Sequence, residues 1–248
     1  MRIAVLGCGP AGLMAAHAVV MSGHEPMIFS KKVPSSIGGA QYLHKPIPKI
    51  TRERPDGQVN FIKYGTEQGY AKKVYDDPYA HTSWYDYDEG HHQIWNLRSA
   101  YDKLWKRYEP IIVDIKLDYE VTRSLLRAFP RVMSTVPLVH LCGKDHRFDF
   151  QDVWIVYSQA KEGGENRIVY DGTEDFPWYR WSYIFGWRGI EYSKPCKEAV
   201  NAVHIRKPLL SPCDCHPEIL KLGRYGAWQK GILTHHAYEG AMDALLKL

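Results

Sequence analysis

Residues 3–30 read IAVLGCGPAGLMAAHAVVMSGHEPMIFS, and within them Gly7-Cys8-Gly9-Pro10-Ala11-Gly12 has the G-x-G-x-x-G spacing. Three glycines so placed do chemistry by lacking side chains. Gly7 permits a tight turn, Gly9 lets a pyrophosphate approach the backbone, and Gly12 lets a helix pack closely on a strand. The first N–H groups of a helix starting at Pro10 and Ala11 then face the phosphates. Dinucleotide binding is the chemistry these residues suit, with Cys8 a small turn filler. The ribose position departs from the pattern, because Ser30 stands where a carboxylate would grip the sugar. Its hydroxyl can still bond a ribose oxygen, and Lys31 and Lys32 add cations at the adenosine end. That suits either a 2′-phosphate or a ribose held loosely with the grip elsewhere. Residues 36–42, SIGGAQY, favour the second: Gly38 and Gly39, followed by Ala40, Gln41 and Tyr42, would bring backbone N–H groups to the pyrophosphate from its other side.

Other candidates are more scattered. His44, just past the Gly-Gly pair, titrates near neutrality and is a candidate acid or base. Tyr42 could wall a planar ring, with Trp178, Tyr179 and Arg180 facing it from elsewhere in the chain. Cys213-Asp214-Cys215-His216 sets soft ligands in a row, but C-x-C-H lacks the spaced second pair of a structural zinc site, so no metal is expected. The neighbouring pairs His91-His92 and His235-His236 read as surface or lobe-contact residues. The sequence contains no nucleophile elbow, Walker loop or paired-carboxylate motif.

The elements that must position these groups are readable near the N-terminus. Residues 3–6 are an apolar run ending at glycine, consistent with a buried parallel strand; residues 13–21 form a breaker-free helix with Gly23 at its C-terminal end; residues 26–29 are a second strand. Elsewhere composition is the guide. Aromatic residues concentrate at 64–108 and 154–192, away from the glycine motif, and mark a substrate-facing lobe. A net charge of +4 does not by itself imply nucleic acid, but it permits an anionic substrate. Lys45, Lys49, Arg52, Arg54, Lys63, Lys72 and Lys73, interleaved with Tyr64 and Tyr70, could hold a polyanion such as nucleic acid. Five unevenly spaced cysteines imply no disulfide framework, which suits a reducing cytoplasm. No leader and no apolar run of spanning length is visible, so a soluble cytoplasmic protein without a membrane partner is expected.

Taken with three later stretches, the N-terminal pattern resembles the glutathione-reductase-type FAD-binding fold, in the branch containing UDP-galactopyranose mutase, amine oxidases and protoporphyrinogen oxidase. Residues 113–137, VDIKLDYEVTRSLLRAFPRVMSTVP, are similar to the family's strand with a backbone contact to adenine, here Val121. The strand and turn that follow it are here MSTVP, with Thr135. Residues 171–183, DGTEDFPWYRWSY, resemble the mutase stretch whose arginine, here Arg180, holds the diphosphate of a nucleotide sugar. Gly223-Arg224-Tyr225-Gly226-Ala227-Trp228 and the following GILTHHAYEGAMDALL resemble the family's closing motif, in which the arginine reaches the FAD pyrophosphate and a last helix points at the flavin. Thr234 suits the N-cap of that helix, and N–H groups from Leu233 to His235 would stabilise negative charge on a reduced flavin. Trp228 would pack around the cofactor.

The resemblance implies an α/β protein: a Rossmann-like FAD-binding domain, a parallel sheet with flanking helices, carrying a small inserted substrate lobe. The expected division assigns 1–44, 111–150 and 211–248 to FAD and 45–110 with 151–210 to the lobe. The expected function is that of a FAD-dependent oxidoreductase or lyase acting on a bulky anionic substrate, either nucleic acid or a nucleotide-linked small molecule. Two alternatives stay open. One is a redox-neutral, mutase-like enzyme; the other is a flavin-binding module without chemistry.

Overall fold

The computed structural model describes residues 1–38, 41–82, 84, 88–160, 163–211 and 213–247. Its first half runs β1 (Arg2–Leu6), α1 (Pro10–Met21), β2 (Glu25–Ser30), β3 (Gly57–Gly65), α2 (Glu67–Tyr75), β4 (Gly90–Ile94), α3 (Leu97–Tyr108), β5 (Ile112–Asp114) and α4 (Tyr119–Ala128). The second half adds β6 (Val132–Ser134), α5 (Leu138–Leu141), β7 (Phe150–Gln159), β8 (Arg167–Gly172), β9 (Arg180–Ile184) and β10 (Trp187–Tyr192). It closes with β11 (Val203–Pro208), β12 (Leu220–Lys221), α6 (Gly223–Ala227) and α7 (His236–Leu245).

Two sheets result. The first is parallel, in the order β12-β6-β1-β2-β5; the second is mixed, in the order β11-β7-β10-β9-β8-β3-β4. Strand alternation decides how the first is covered. Ile3 and Val5 of β1 join one core with α1, α3 and α7, whereas Ala4 and Leu6 point the other way, into a core with Leu125, Leu126 and Phe129 on and just after α4. Burying each such Leu, Ile or Val stabilises the fold by about 1.5–3 kcal/mol. This is a Rossmann-like α/β layer. The second sheet has its own core, which includes Val59, Phe61, Val153, Ile155 and Ile168, with α2 packed on it.

Two segments assigned to the lobe by sequence lie on the parallel sheet's side. Ile47, Ile50 and the buried face of α3 join the core of α1. A helix three turns long with one apolar stripe must bury that stripe, and α1 offers the matching surface. His17 in the middle of α1 is fully buried and satisfied: its Nδ1 bonds the Tyr108 hydroxyl and its Nε2 the Pro48 carbonyl, each at 2.8 Å. Among the described residues no helix is long and apolar enough to cross a membrane.

Candidate active site

The carboxyl ends of the parallel strands all open onto one cleft. Registers Leu6↔Phe29, Leu6↔Ser134, Lys221↔Ser134 and Ser30↔Asp114 level those ends, so the loops after them share a rim. Below that rim lies a continuous cavity of about 1140 Å³ that runs from the glycine turn to the second sheet.

The turn after β1 is built as its residue types require. Gly7 has φ +102°, and a Cβ there would come 2.7 Å from the Thr135 hydroxyl; a Cβ on Gly12 would collide with the Gly7 carbonyl. Gly9 is the N-cap of α1 in extended conformation, with no side chain capping it, Pro10 at the first position and no acid in the first turn. By helix geometry the N–H groups of Ala11 and Gly12 have no intrahelical acceptor, and both residues line the cavity. Tyr101 of α3 fixes this turn: its hydroxyl donates to the Cys8 carbonyl at 3.1 Å and accepts the Ser35 N–H at 2.9 Å. The Cys8 thiol is buried against the Lys31 carbonyl at 3.3 Å, a turn filler.

Around this turn the cavity is lined by Ser30 and Lys31 from the end of β2, Gly38, Gln41, Tyr42 and His44 from the next loop, and Thr135 after β6. Gly223, Arg224, Leu233 and Thr234 line it from the C-terminal segment, and Tyr179 and Arg180 from the second sheet. Gly223, at φ +68°, brings the start of α6 against the N-terminus of α1; a Cβ on it would lie 3.1 Å from that of Ala11. Gly38 runs past the Tyr157 ring of β7, where a Cβ would come within 2.8 Å of a ring carbon. Gly39 and Ala40 lie outside the described residues. Lys32, expected at the adenosine end, instead pairs with Glu109 at 2.7 Å. Lys116 and Leu117, just after β5, line the cavity there and were not singled out by sequence.

Three expected roles are corrected. Val121 is not on a strand: it lies in the first turn of α4, outside the cavity, and its N–H is bonded to the capping Asp118 carboxylate at 2.9 Å. Trp228 does not line the cavity either. Its backbone is left-handed, its ring is buried with Leu138 and Cys213, and its Nε1 donates to the Asp149 carbonyl at 2.9 Å. Thr234 lines the cavity but does not cap α7, whose N-cap is His235, and the Leu233 N–H is bonded to His236 Nδ1 at 3.2 Å instead of pointing free.

The wall formed by the second sheet holds a charge cluster that local sequence did not reveal. Glu191 of β10 is cross-strand partner to Arg180 of β9 and is 1% exposed. It accepts from the Tyr179 hydroxyl at 2.9 Å, from Arg180 Nε at 3.0 Å, from Arg180 Nη2, and from Lys207 Nζ at 2.5 Å. Burial works against its charge, but Arg180 and Lys207 hold it well below the usual carboxylate range. Burial lowers Lys207 to about 8, against the pull of Glu191. Arg180, Glu191 and Lys207 all line the cavity, beside Tyr70, Tyr157 and Tyr170. One anion between two cations leaves the wall net positive. The only sequence signal was a lone acid and a lone lysine on otherwise alternating strands.

His44 faces a cluster of imidazoles. Its ring lies 5.8 Å from that of His235, and the His235 and His236 rings are 4.3 Å apart. Burial, reinforced by these neighbours and His92, lowers His44 to about 4; burial and His236 lower His235 to about 4, with Lys45 adding and Glu239 opposing. Below the ordinary value of 6.5 the unfolded chain takes up protons that the folded chain refuses, so stability present above that pH is lost as pH falls toward about 4. A His235→Gln variant is therefore expected to show a shallower decline in melting temperature between about pH 7 and 5 than the parent. An unchanged slope would contradict this placement.

No protein-family model and no curated protein matches the sequence. Solved structures do match in fold. CtdE, crystallised in complex with FAD, aligns with a TM-score of 0.55 at 11% identity over 100% of this chain and 84% of that one. BrvH, a flavin-dependent halogenase from Brevundimonas sp. BAL3, gives 0.54 at 12% identity, covering 99% and 71%. A flavoprotein/dehydrogenase from Cytophaga hutchinsonii gives 0.52 at 12%, covering 99% and 76%. With its parallel sheet, glycine turn and mixed second sheet, the chain shares the fold of these flavoproteins.

Proposed function

We propose that the chain is an FAD-dependent enzyme of oxidoreductase type, acting on an anionic small molecule held in the tyrosine-lined half of the cavity. The observation that carries this reading is continuity: one cavity joins the glycine cradle to the cationic wall of Arg180 and Lys207. The residues present fit the cofactor. Gly9, in a turn that Gly7 and Gly12 make possible, leaves room for the pyrophosphate, the amides of Ala11 and Gly12 and the side chain of Arg224 would meet its charge, and Ser30, Lys31 and Lys116 line the cavity where the adenosine would lie. Bound there, FAD supplies electron transfer. CtdE and BrvH, described with FAD or as flavin-dependent, support the same choice.

The chain's own residues supply orientation and charge. Lys207 near neutrality is an ammonium that attracts an anion, and because its pKa is about 8 that attraction weakens as pH rises through this value. Arg180 offers the wall its charge, while its Nε and Nη2 are held by Glu191. A mutase-like bidentate grip by Arg180 on a diphosphate therefore draws no support from the geometry. The basic run does not favour nucleic acid either: Lys45 pairs with Glu239, Lys72 with Glu174, and Lys73 turns inward to the buried Asp171.

Anaerobic mixing of the FAD-loaded protein with reduced nicotinamide coenzymes and with aromatic carboxylates is the test. Bleaching of the flavin bands by a reduced nicotinamide coenzyme, the hydride donor of the pair, is expected, with an aromatic carboxylate changing its rate. Bleaching by dithionite alone would favour a non-catalytic module, and turnover of a sugar nucleotide after such bleaching would favour the mutase class.

A further inference from the structure

Four soft ligands from two distant parts of the chain converge outside the cavity. Cys142 ends α5, His146 follows in the loop to β7, and Cys213 and Cys215 lie in the loop between β11 and β12. Cys142 Sγ lies 3.3 Å from His146 Nδ1 and 3.5 Å from Cys215 Sγ, and Cys215 Sγ lies 3.8 Å from His146 Nδ1. With the Cys213 sulfur, all four ligand atoms fall within 4.8 Å of one another. Zinc–sulfur bonds of about 2.3 Å and a zinc–nitrogen bond of about 2.0 Å in a tetrahedron put neighbouring ligand atoms about 3.5–3.8 Å apart. The distances among Cys142, His146 and Cys215 match that arrangement, and the Cys213 sulfur lies within 4.8 Å of all three. The second pair of ligands that C-x-C-H alone lacks is supplied by Cys142-x-x-x-His146, while His216 is directed elsewhere, with its Nε2 3.1 Å from the Leu141 carbonyl.

We propose that Cys142, His146, Cys213 and Cys215 form a structural zinc site. Four protein ligands leave no open position, and none of them lines the cavity, so the ion holds structure and takes no part in chemistry. What it holds is specific. Both loops have little regular structure and share a small core around Leu138, Cys213 and Trp228, so a cross-link there does what apolar burial does elsewhere. The second loop leads directly into β12 and α6, which carry Gly223 and Arg224 to the cavity. Binding would release the three thiol protons, leaving one net negative charge on the zinc and three thiolates. Cations stand nearby: Lys221 Nζ donates to the Cys213 carbonyl, and Lys144, paired with Asp214 at 3.4 Å, flanks the sulfurs. Cys142 Sγ also lies 3.1 Å from the Lys144 carbonyl, a contact that a thiol makes and a thiolate gives up.

A disulfide between Cys142 and Cys215 is the competing use of the same sulfurs, and it would leave Cys213 and His146 without a role. Elemental analysis of the 248-residue chain, expressed with zinc and dialysed against metal-free buffer, separates the two. About one zinc per chain is expected, with a sulfur-rich first shell containing one nitrogen by X-ray absorption. Titration of the wild-type chain with a mercurial should release that zinc in step with loss of three thiols, a readout that needs neither flavin nor a foldable variant. Cys215→Ser and His146→Ala should each lower the zinc content. Absence of stoichiometric zinc, another ion in its place, or a Cys142–Cys215 disulfide in the native protein would overturn the proposal.

Discussion

Replacing Glu191 by Gln is expected to destabilise the protein by about 3 kcal/mol, read as a lower urea midpoint at unchanged slope. The reason is the geometry of its partners. A side chain 2% exposed accepts from Tyr179, Arg180 and Lys207, and the two cations are themselves only 21% and 17% exposed. An amide of the same shape keeps an acceptor but removes the charge, leaving two poorly hydrated cations facing each other. Lys207, already lowered to about 8, then loses the group that favours its ammonium and falls further. Removing that second cation as well, in Glu191→Gln with Lys207→Met, should restore part of the loss. A change below about 1 kcal/mol in the single variant would place this cluster with ordinary surface pairs and contradict the buried wall described above.

Gly9→Ala and Gly12→Ala should part company, and that separation is the second large effect. Gly9 has backbone angles open to any residue, φ −67° and ψ 176°, and a Cβ there meets only the Ser35 hydroxyl at 3.3 Å. The methyl group would stand on the phosphate side of the turn. Gly9→Ala is thus expected to leave the melting temperature of the flavin-free protein unchanged while weakening FAD binding about 100-fold, equivalent to about 2.7 kcal/mol. Gly12→Ala forces a Cβ into the Gly7 carbonyl and to within 2.9 Å of Thr135 Oγ1, so it should also lose about 1–3 kcal/mol of fold stability. Equal effects of the two on stability would mean that the turn does not have the role assigned to it.

What could be read in the sequence was local. β1, α1 and β2 follow from an apolar run, a glycine spacing and a helix stop within thirty residues, and the structure places them at 2–6, 10–21 and 25–30. The local signal around Val121 is helical, against what the resemblance implies: Asp118 is an N-cap residue, Glu120 and Arg127 suit the two ends of a helix dipole, and Leu125 and Leu126 give the apolar face. Glu191 and Lys207 were missed for a different reason. Each is a single charge on an alternating strand, and only the β9–β10 register and the placement of β11 beyond β7 bring them together. The same holds for Cys142 and His146, whose partners come from the far end of the chain. Boundaries also follow packing over order in sequence, since α3 completes the core of α1 although it lies between strands of the two sheets.

In the proposed holoprotein the glycine turn, the loops after β6 and β12 and the segment leading into α7 enclose one flavin dinucleotide. Equilibrium titration of flavin-free protein with FAD, FMN and NADP in parallel tests it most directly. FAD should bind at about one per chain with a shift in its visible bands, FMN should bind far more weakly for want of the adenosine half, and NADP should not compete. Protein that stays colourless with FAD yet binds NADP stoichiometrically would contradict the account at its foundation.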